Sequence, residues 1–291
     1  SNFARIGDGS LGGKGRGLAF IDNLVKHHPE FEEFENARVA IPKTIVLCTD
    51  VFDEFMDTNN LYQIALSDAD DDVILRYFLK AKLPDRLVED FFTFFDVVKS
   101  PLAIRSSSLL EDSHYQPFAG IYNTYMIPYL DDKYEMLRML SDAIKGVYAS
   151  VYFRDSKAYM QATSNVIDQE KMAVILQEVV QSSQNLIAEE KMAVVIQEVC
   201  GTEQDGLYFP TCSGVARSIN YYPIGDEKAE EGIVNLALGL GKYIVDGGMT
   251  LRFSPYHPNQ VLQTSEMEIA LKETQTRFYA LDLRNAGHDF S

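Results

Sequence analysis

The stretch AIRSSSLLEDSHYQPFAGIYNTY, from Ala103 to Tyr125, closes an apolar run with a single arginine, Arg105. Three serines follow, then the acidic pair Glu111 and Asp112, and then Gly120 and Thr124, four residues apart. A guanidinium fork suits two-point contact with a phosphate, and serine hydroxyls can add hydrogen bonds. The same residues admit an ordinary ion pair between Arg105 and Glu111 or Asp112, which contributes little to stability. Both readings stand at this point. Glu111 and Asp112 could also hold Mg²⁺ through water, or form a solvated turn. A glycine at 120 lets a backbone approach a ligand closely, and the Thr124 hydroxyl could meet a phosphate; otherwise the pair is a turn entering a strand.

A second candidate lies near the start, where GSLGGKGRG sets Lys14 among glycines just ahead of a helical pattern. Glycines, free amides at a helix N-terminus and a mobile ammonium together favour an anion. The P-loop spacing is absent, and no strand is read ahead of the glycines, so this is not a dinucleotide fingerprint. The competing reading is a flexible loop with a solvated lysine. Gln177 and Gln197 each end an apolar strand, where an adenine could find donors and acceptors; an exposed strand end is the alternative. The five histidines have no metal spacing and no partnering cysteine, and read as surface residues. The three cysteines, Cys48, Cys200 and Cys212, also lack metal spacing and read as reduced thiols of a cytoplasmic protein.

These residues must be held by elements that the patterning suggests. The glycine-rich opening runs into an amphipathic helix, and ARVAIPKTIVLCTD reads as one or two strands. VFDEFMD, DDVILRYFLKAKL and RLVEDFFTFFDVV carry apolar residues at helical spacing; LAIR returns to strand, and Lys133 to about Gln161 is helical. The remainder is β-rich with glycine turns. A chain of 291 residues, 46% hydrophobic and 24% charged, can bury a large core as one domain or two lobes. Its 43 acidic against 26 basic residues, a formal charge of −17, exclude a nucleic-acid partner but not a small phosphate ligand met by a few local cations. No apolar run is long enough for a membrane helix.

One feature is separate from the chemistry. EKMAVILQEVV, Glu170–Val180, recurs twenty residues downstream as EKMAVVIQEVC, Glu190–Cys200. Two copies do not make a repeat array, so this is a local tandem duplication at about 166–205. Both copies look like a buried strand competing for one place in a sheet. A strand and its hairpin partner are coupled by short loop closure, and the second copy runs directly into the next strand, so Gln197 is favoured over Gln177.

Taken in order, GGKGRGL, IPKTIVL, IRSSSLLED, PFAGIYNT, MAVVIQ, SGVAR and GLGKYIVDGG resemble the ATP-binding domain of the phosphoenolpyruvate synthase and pyruvate phosphate dikinase family, over about Ile6 to Val261. The resemblance implies an α+β, ATP-grasp-like fold of two α/β lobes, expected at 1–100 and 101–291, that clamps ATP and Mg²⁺. It implies phosphate contacts for Lys14 and Arg105, a phosphate-side loop at Gly120 and Thr124, and Gln197 or Gln177 beside the adenine. In the family the domain splits ATP to AMP and phosphorylates a histidine on a swivelling domain, which serves pyruvate bound in a barrel domain. Related dikinases and antibiotic phosphotransferases use other acceptors, and a non-catalytic nucleotide sensor is the non-enzyme alternative.

Departures from the pattern are specific. Neither a swivelling-domain histidine motif nor a barrel-sized region is present, so the chain reads as a fragment without turnover of its own. Asn220 stands where the family pattern SGVxFTxDP has an aspartate, and TQTRF contains Gln275 and Arg277 too close to GLGKYIVDGG to inherit the family's terminal Gln-x-Arg strand.

Overall fold

The computed structural model describes residues 1–108, 124–162, 191–261, 267 and 272–285, with the backbone of 163–170. The chain forms two compact units, Ser1–Val199 and Cys200–Ala286. Helices and sheets are mixed along it, an α+β fold. The expected division near residue 100 does not coincide with this boundary. A cut there would split one sheet, because the strand after Pro101 is hydrogen-bonded to the same neighbour as a strand before it.

That sheet is the frame of the first unit. Its strands are β1 (Phe3–Ile6), β2 (Thr44–Leu47), β3 (Leu102–Ser108), β4 (Tyr125–Ile127) and β5 (Met192–Glu198), in the order β1-β2-β5-β3-β4. β1 and β2 are parallel and every other pair is antiparallel. Helix α1 (Gly12–His27) connects β1 to β2, so a strand does precede the glycines and a βαβ unit opens the chain. The strand FARI is only four residues long and half exposed, too little pattern to read from sequence. Of the repeated segments, the second supplies β5; the first, with Gln177, lies outside the described residues.

The two faces of the sheet differ. Ile45, Leu47, Ile104, Met192, Val194 and Ile196 point into the main core. Five of the helices that cover this face are α2 (Thr49–Thr58), α3 (Tyr62–Ala65), α4 (Asp71–Lys80), α5 (Leu87–Val97) and α6 (Lys133–Ser150). Their buried residues recur at three-to-four spacing, as in Leu87, Phe91, Phe94 and Phe95. On the opposite face Val46, Ala193 and Val195 form a smaller cluster under Phe3, Leu11 and Leu18, which brings α1 down onto it. The helical pattern from Lys133 divides into α6 and α7 (Arg154–Glu170). The break is tertiary in origin: the Arg154 amide donates to the Asp71 carboxylate at 2.8 Å, and the Ser156 hydroxyl donates to the Ser150 carbonyl at 2.6 Å.

The second unit holds two small antiparallel sheets. One has β8 (Cys212–Arg217), β9 (Ile233–Leu238) and β10 (Leu251–Phe253), with β9 central; the other has β6 (Thr202–Gln204), β7 (Leu207–Phe209) and β11 (Leu281–Asp282), with β7 central.

Two outcomes test this packing. Val194 is fully buried in β5, so Val194→Asp should cost at least about 4 kcal/mol, because a carboxylate there has no solvent and no cation. A much smaller loss in urea titrations would contradict the burial of β5 between the two faces. The Tyr148 hydroxyl, buried among Phe52 and Phe55, has no hydrogen-bond partner among the described residues. Tyr148→Phe should therefore raise stability by about 1 kcal/mol, read by the same titration.

Candidate functional site

The glycine-rich loop between β1 and α1 is held from one side by the start of α2. The Asp50 carboxylate accepts from the amides of Asp8 and Gly9 at 2.9 and 3.0 Å. The Thr49 hydroxyl accepts from the Ser10 amide at 2.9 Å, and the Ser10 hydroxyl accepts from the Gly12 amide at 3.1 Å. Gly7, at φ +98°, has no room for a Cβ, which would lie 2.4 Å from an Asp50 oxygen. This arrangement corrects the picture of free loop amides awaiting an anion. The loop already wraps one, and it is the protein's own carboxylate. Burial pushes the Asp50 carboxyl up, but the amides of Asp8, Gly9, Asp50 and Val51 together hold it below its ordinary value.

Lys14 is not ahead of the helix but inside its first turn. That turn is fastened to the end of β3. The Ser107 hydroxyl donates to the Leu11 carbonyl at 2.7 Å and accepts from the Gly15 amide at 2.9 Å. Lys14 Nζ donates to the Ser106 carbonyl at 3.0 Å, across 92 residues of sequence. Close approach requires Gly12, at φ +69°, where a Cβ would fall 2.0 Å from the Ser107 carbonyl oxygen.

Strand alternation then orders the neighbours. Ser107 faces α1, so Arg105, two residues earlier and about 7 Å along β3, lies on the same face of the sheet. Arg105 is half-buried and is paired with no carboxylate among the described residues. Lys14 and Arg105, distant in sequence, thus share one face. The three serine side chains do not share it: those of Ser106 and Ser108 are buried on the side of Ile104, and that of Ser107 meets α1. Three hydroxyls lined up as one cradle are therefore ruled out by the two-residue period of the strand.

The other candidates fall as follows. Thr124 is exposed and immediately precedes β4, whose first residue, Tyr125, stands opposite Ile104 beside Arg105. Gln197 also lies on the α1 face, opposite Ala103 and Thr44, and is 8% exposed; its amide donates to the Thr44 hydroxyl at 3.2 Å. Gly120, Glu111 and Asp112 lie outside the described residues, as does Gln177. Among the described residues no group of three His, Cys, Asp or Glu side chains could hold a metal ion. The Cys48 thiol is fully buried and pushed up by burial, so it is no nucleophile.

In the second unit the departures from the family pattern have structural jobs. Asn220, 2% exposed, donates to Glu227 at 2.8 Å and accepts from the Tyr222 amide at 3.1 Å. Arg252 grips the same carboxylate at 2.9 and 3.0 Å, and that grip first of all holds Glu227 below its ordinary value. The Gln275 side chain exchanges hydrogen bonds with the backbone of Leu238, at 2.8 and 3.1 Å, and Arg277 is exposed. Sequence reading missed Asp50 and Thr49 as loop anchors; the signal was available, since Thr-Asp after the buried TIVLC is a helix-start pattern.

The family model of the pyruvate phosphate dikinase AMP/ATP-binding domain matches residues 8–282, most of the chain. The chain belongs to that family. No curated protein matches it. For this dikinase-family domain, ATP binding and a fold of the ATP-grasp kind follow from membership. No helix among the described residues is long and apolar enough to cross a membrane.

Asp50 gives a pH test. Its lowered value in the fold means that its contribution is complete above about pH 4, the unfolded carboxylate value, and fades as pH falls through the folded one. Asp50→Asn should be less stable than the parent at neutral pH, and the gap should close on acidification. A gap unchanged down to acid pH in thermal melts would contradict this.

Proposed function

We propose that the domain binds ATP on the α1 face of the sheet, as the nucleotide-binding portion of a phosphoenolpyruvate synthase-like phosphotransferase. The observation that carries the reading is the pair of cations, Lys14 and Arg105, brought to one face by a single strand end in a chain with a formal charge of −17. Two cations so held can offset charge that builds on a phosphoryl group in transit, without reorganising at the moment of reaction. Thr124, beside β4, and Gly120 would line the phosphate side, and Gln197, rather than Gln177, the adenine side.

The overall reaction would be ATP, pyruvate and water to phosphoenolpyruvate, AMP and phosphate. Its acceptor histidine and pyruvate site would belong to a swivelling domain and a pyruvate-binding domain of a longer cytoplasmic polypeptide. Mg²⁺, arriving with the nucleotide, would screen the phosphate charge. Among the described residues no group of carboxylates offers it a ready-made cage.

The test is calorimetric titration of this 291-residue chain with ATP and Mg²⁺. Lys14→Ala and Arg105→Ala should each weaken binding by about tenfold or more, the scale of a lost charge-assisted contact. Equal affinity in all three proteins would reject the site. In the full enzyme, Arg105→Ala should cost at least about 2 kcal/mol of transition-state stabilisation. The isolated chain should form no AMP; turnover proportional to protein and abolished by Lys14→Ala would overturn that part.

A further inference from the structure

Ser107 stands in β3 but is bonded to the start of α1. Its hydroxyl is spent twice, as donor to the Leu11 carbonyl and as acceptor from the Gly15 amide, so it encloses the first turn of α1 on both sides of Lys14. The side chain is fully buried, and Gly12 and Gly15 are buried against it. A Cβ on Gly15 would meet Leu11 at 3.0 Å and Val46 at 3.3 Å, so the helix has little freedom to slide. Two residues upstream on the same strand and face is Arg105.

We infer that Ser107 is a positioning residue that sets the separation of the Lys14 ammonium from the Arg105 guanidinium. A hydrogen-bonded bridge from a strand to a helix fixes two cations better than either long side chain could alone, because each keeps several rotatable bonds. Like charges also repel, and without the bridge the first turn of α1 would move away from Arg105. Ser107 therefore touches neither phosphate nor nucleoside. It acts through Lys14.

This inference rests on the proposed nucleotide site, and a double-mutant cycle separates the two. Affinities for ATP and for adenosine, both with Mg²⁺ present, are measured for the parent chain, Ser107→Ala, Lys14→Ala and the double variant. Ser107→Ala should weaken ATP about tenfold and leave adenosine within twofold, and the double variant should bind ATP no more weakly than Lys14→Ala alone. Gly12→Ala, which pushes the same turn off Ser107 by a different lesion, should give the same signature. Effects of Ser107→Ala and Lys14→Ala that simply add, or a loss of adenosine binding in step with ATP, would make the contact merely structural and overturn the inference. A parent chain that fails to bind ATP, or a Lys14→Ala variant that binds like the parent, would sink the nucleotide site itself and the inference with it.

Discussion

Everything on the candidate face depends on β5. Within the sheet, the strand Met192–Glu198 lies between the β1-β2 pair, which carries the glycine loop and α1, and the β3-β4 pair, which carries Arg105. It is paired along four residues with β2 and along seven with β3. Its two faces are apolar at five consecutive positions, Met192 to Ile196, all fully buried. A strand buried on both faces has no polar side on which to slip, and a slip of one residue would exchange the faces, turning Gln197 into the main core. The relation of Lys14 to Arg105 thus depends on this ladder together with the contacts of α1 with β3.

The glycine loop shows how the same chemistry can serve structure rather than a ligand. Backbone amides in a tight glycine turn attract an anion, and at this loop the nearest anion is Asp50, delivered by the first turn of α2. Its hydrogen bonds fasten β1, the loop and the β2-to-α2 junction into one block. Arg5 also donates to the Gly7 and Gly9 carbonyls, and Lys14, further on, reaches the end of β3 on the α1 face. Binding of a phosphate there would then be a matter of side-chain charge and of β3, with the loop as scaffold.

A strongly acidic chain gains from such locality. The net field of −17 opposes a nucleotide at long range, but screening confines it to about a Debye length, roughly 8 Å at physiological salt. Within that distance local cations such as Lys14 and Arg105 can meet a phosphate against the net field. In the second unit the acidic surplus is absorbed differently: Glu227 is neutralised by Arg252 and organises the loop that contains Asn220.

The helices on the main core were legible because burial there obeys the 3.6-residue period, as in Val51, Phe52, Phe55 and Met56, and the ordered motifs were enough to point to the family. Arg105 and Lys14 could be singled out by residue type, since cations among glycines or at a strand end suit a phosphate in any fold. What the linear pattern did not hold was their relation. β1 is too short to announce itself, the break between α6 and α7 is made by Asp71 from another helix, and the choice between two equivalent strands turns on the slot each could enter. The contacts that join Lys14 and its helix turn to the strand of Arg105 run to the Ser106 carbonyl and the Ser107 hydroxyl across more than ninety residues. Local periodicity reports which face of an element is buried; only the closed sheet, where distant strands complete one another's hydrogen bonds, fixes which faces meet.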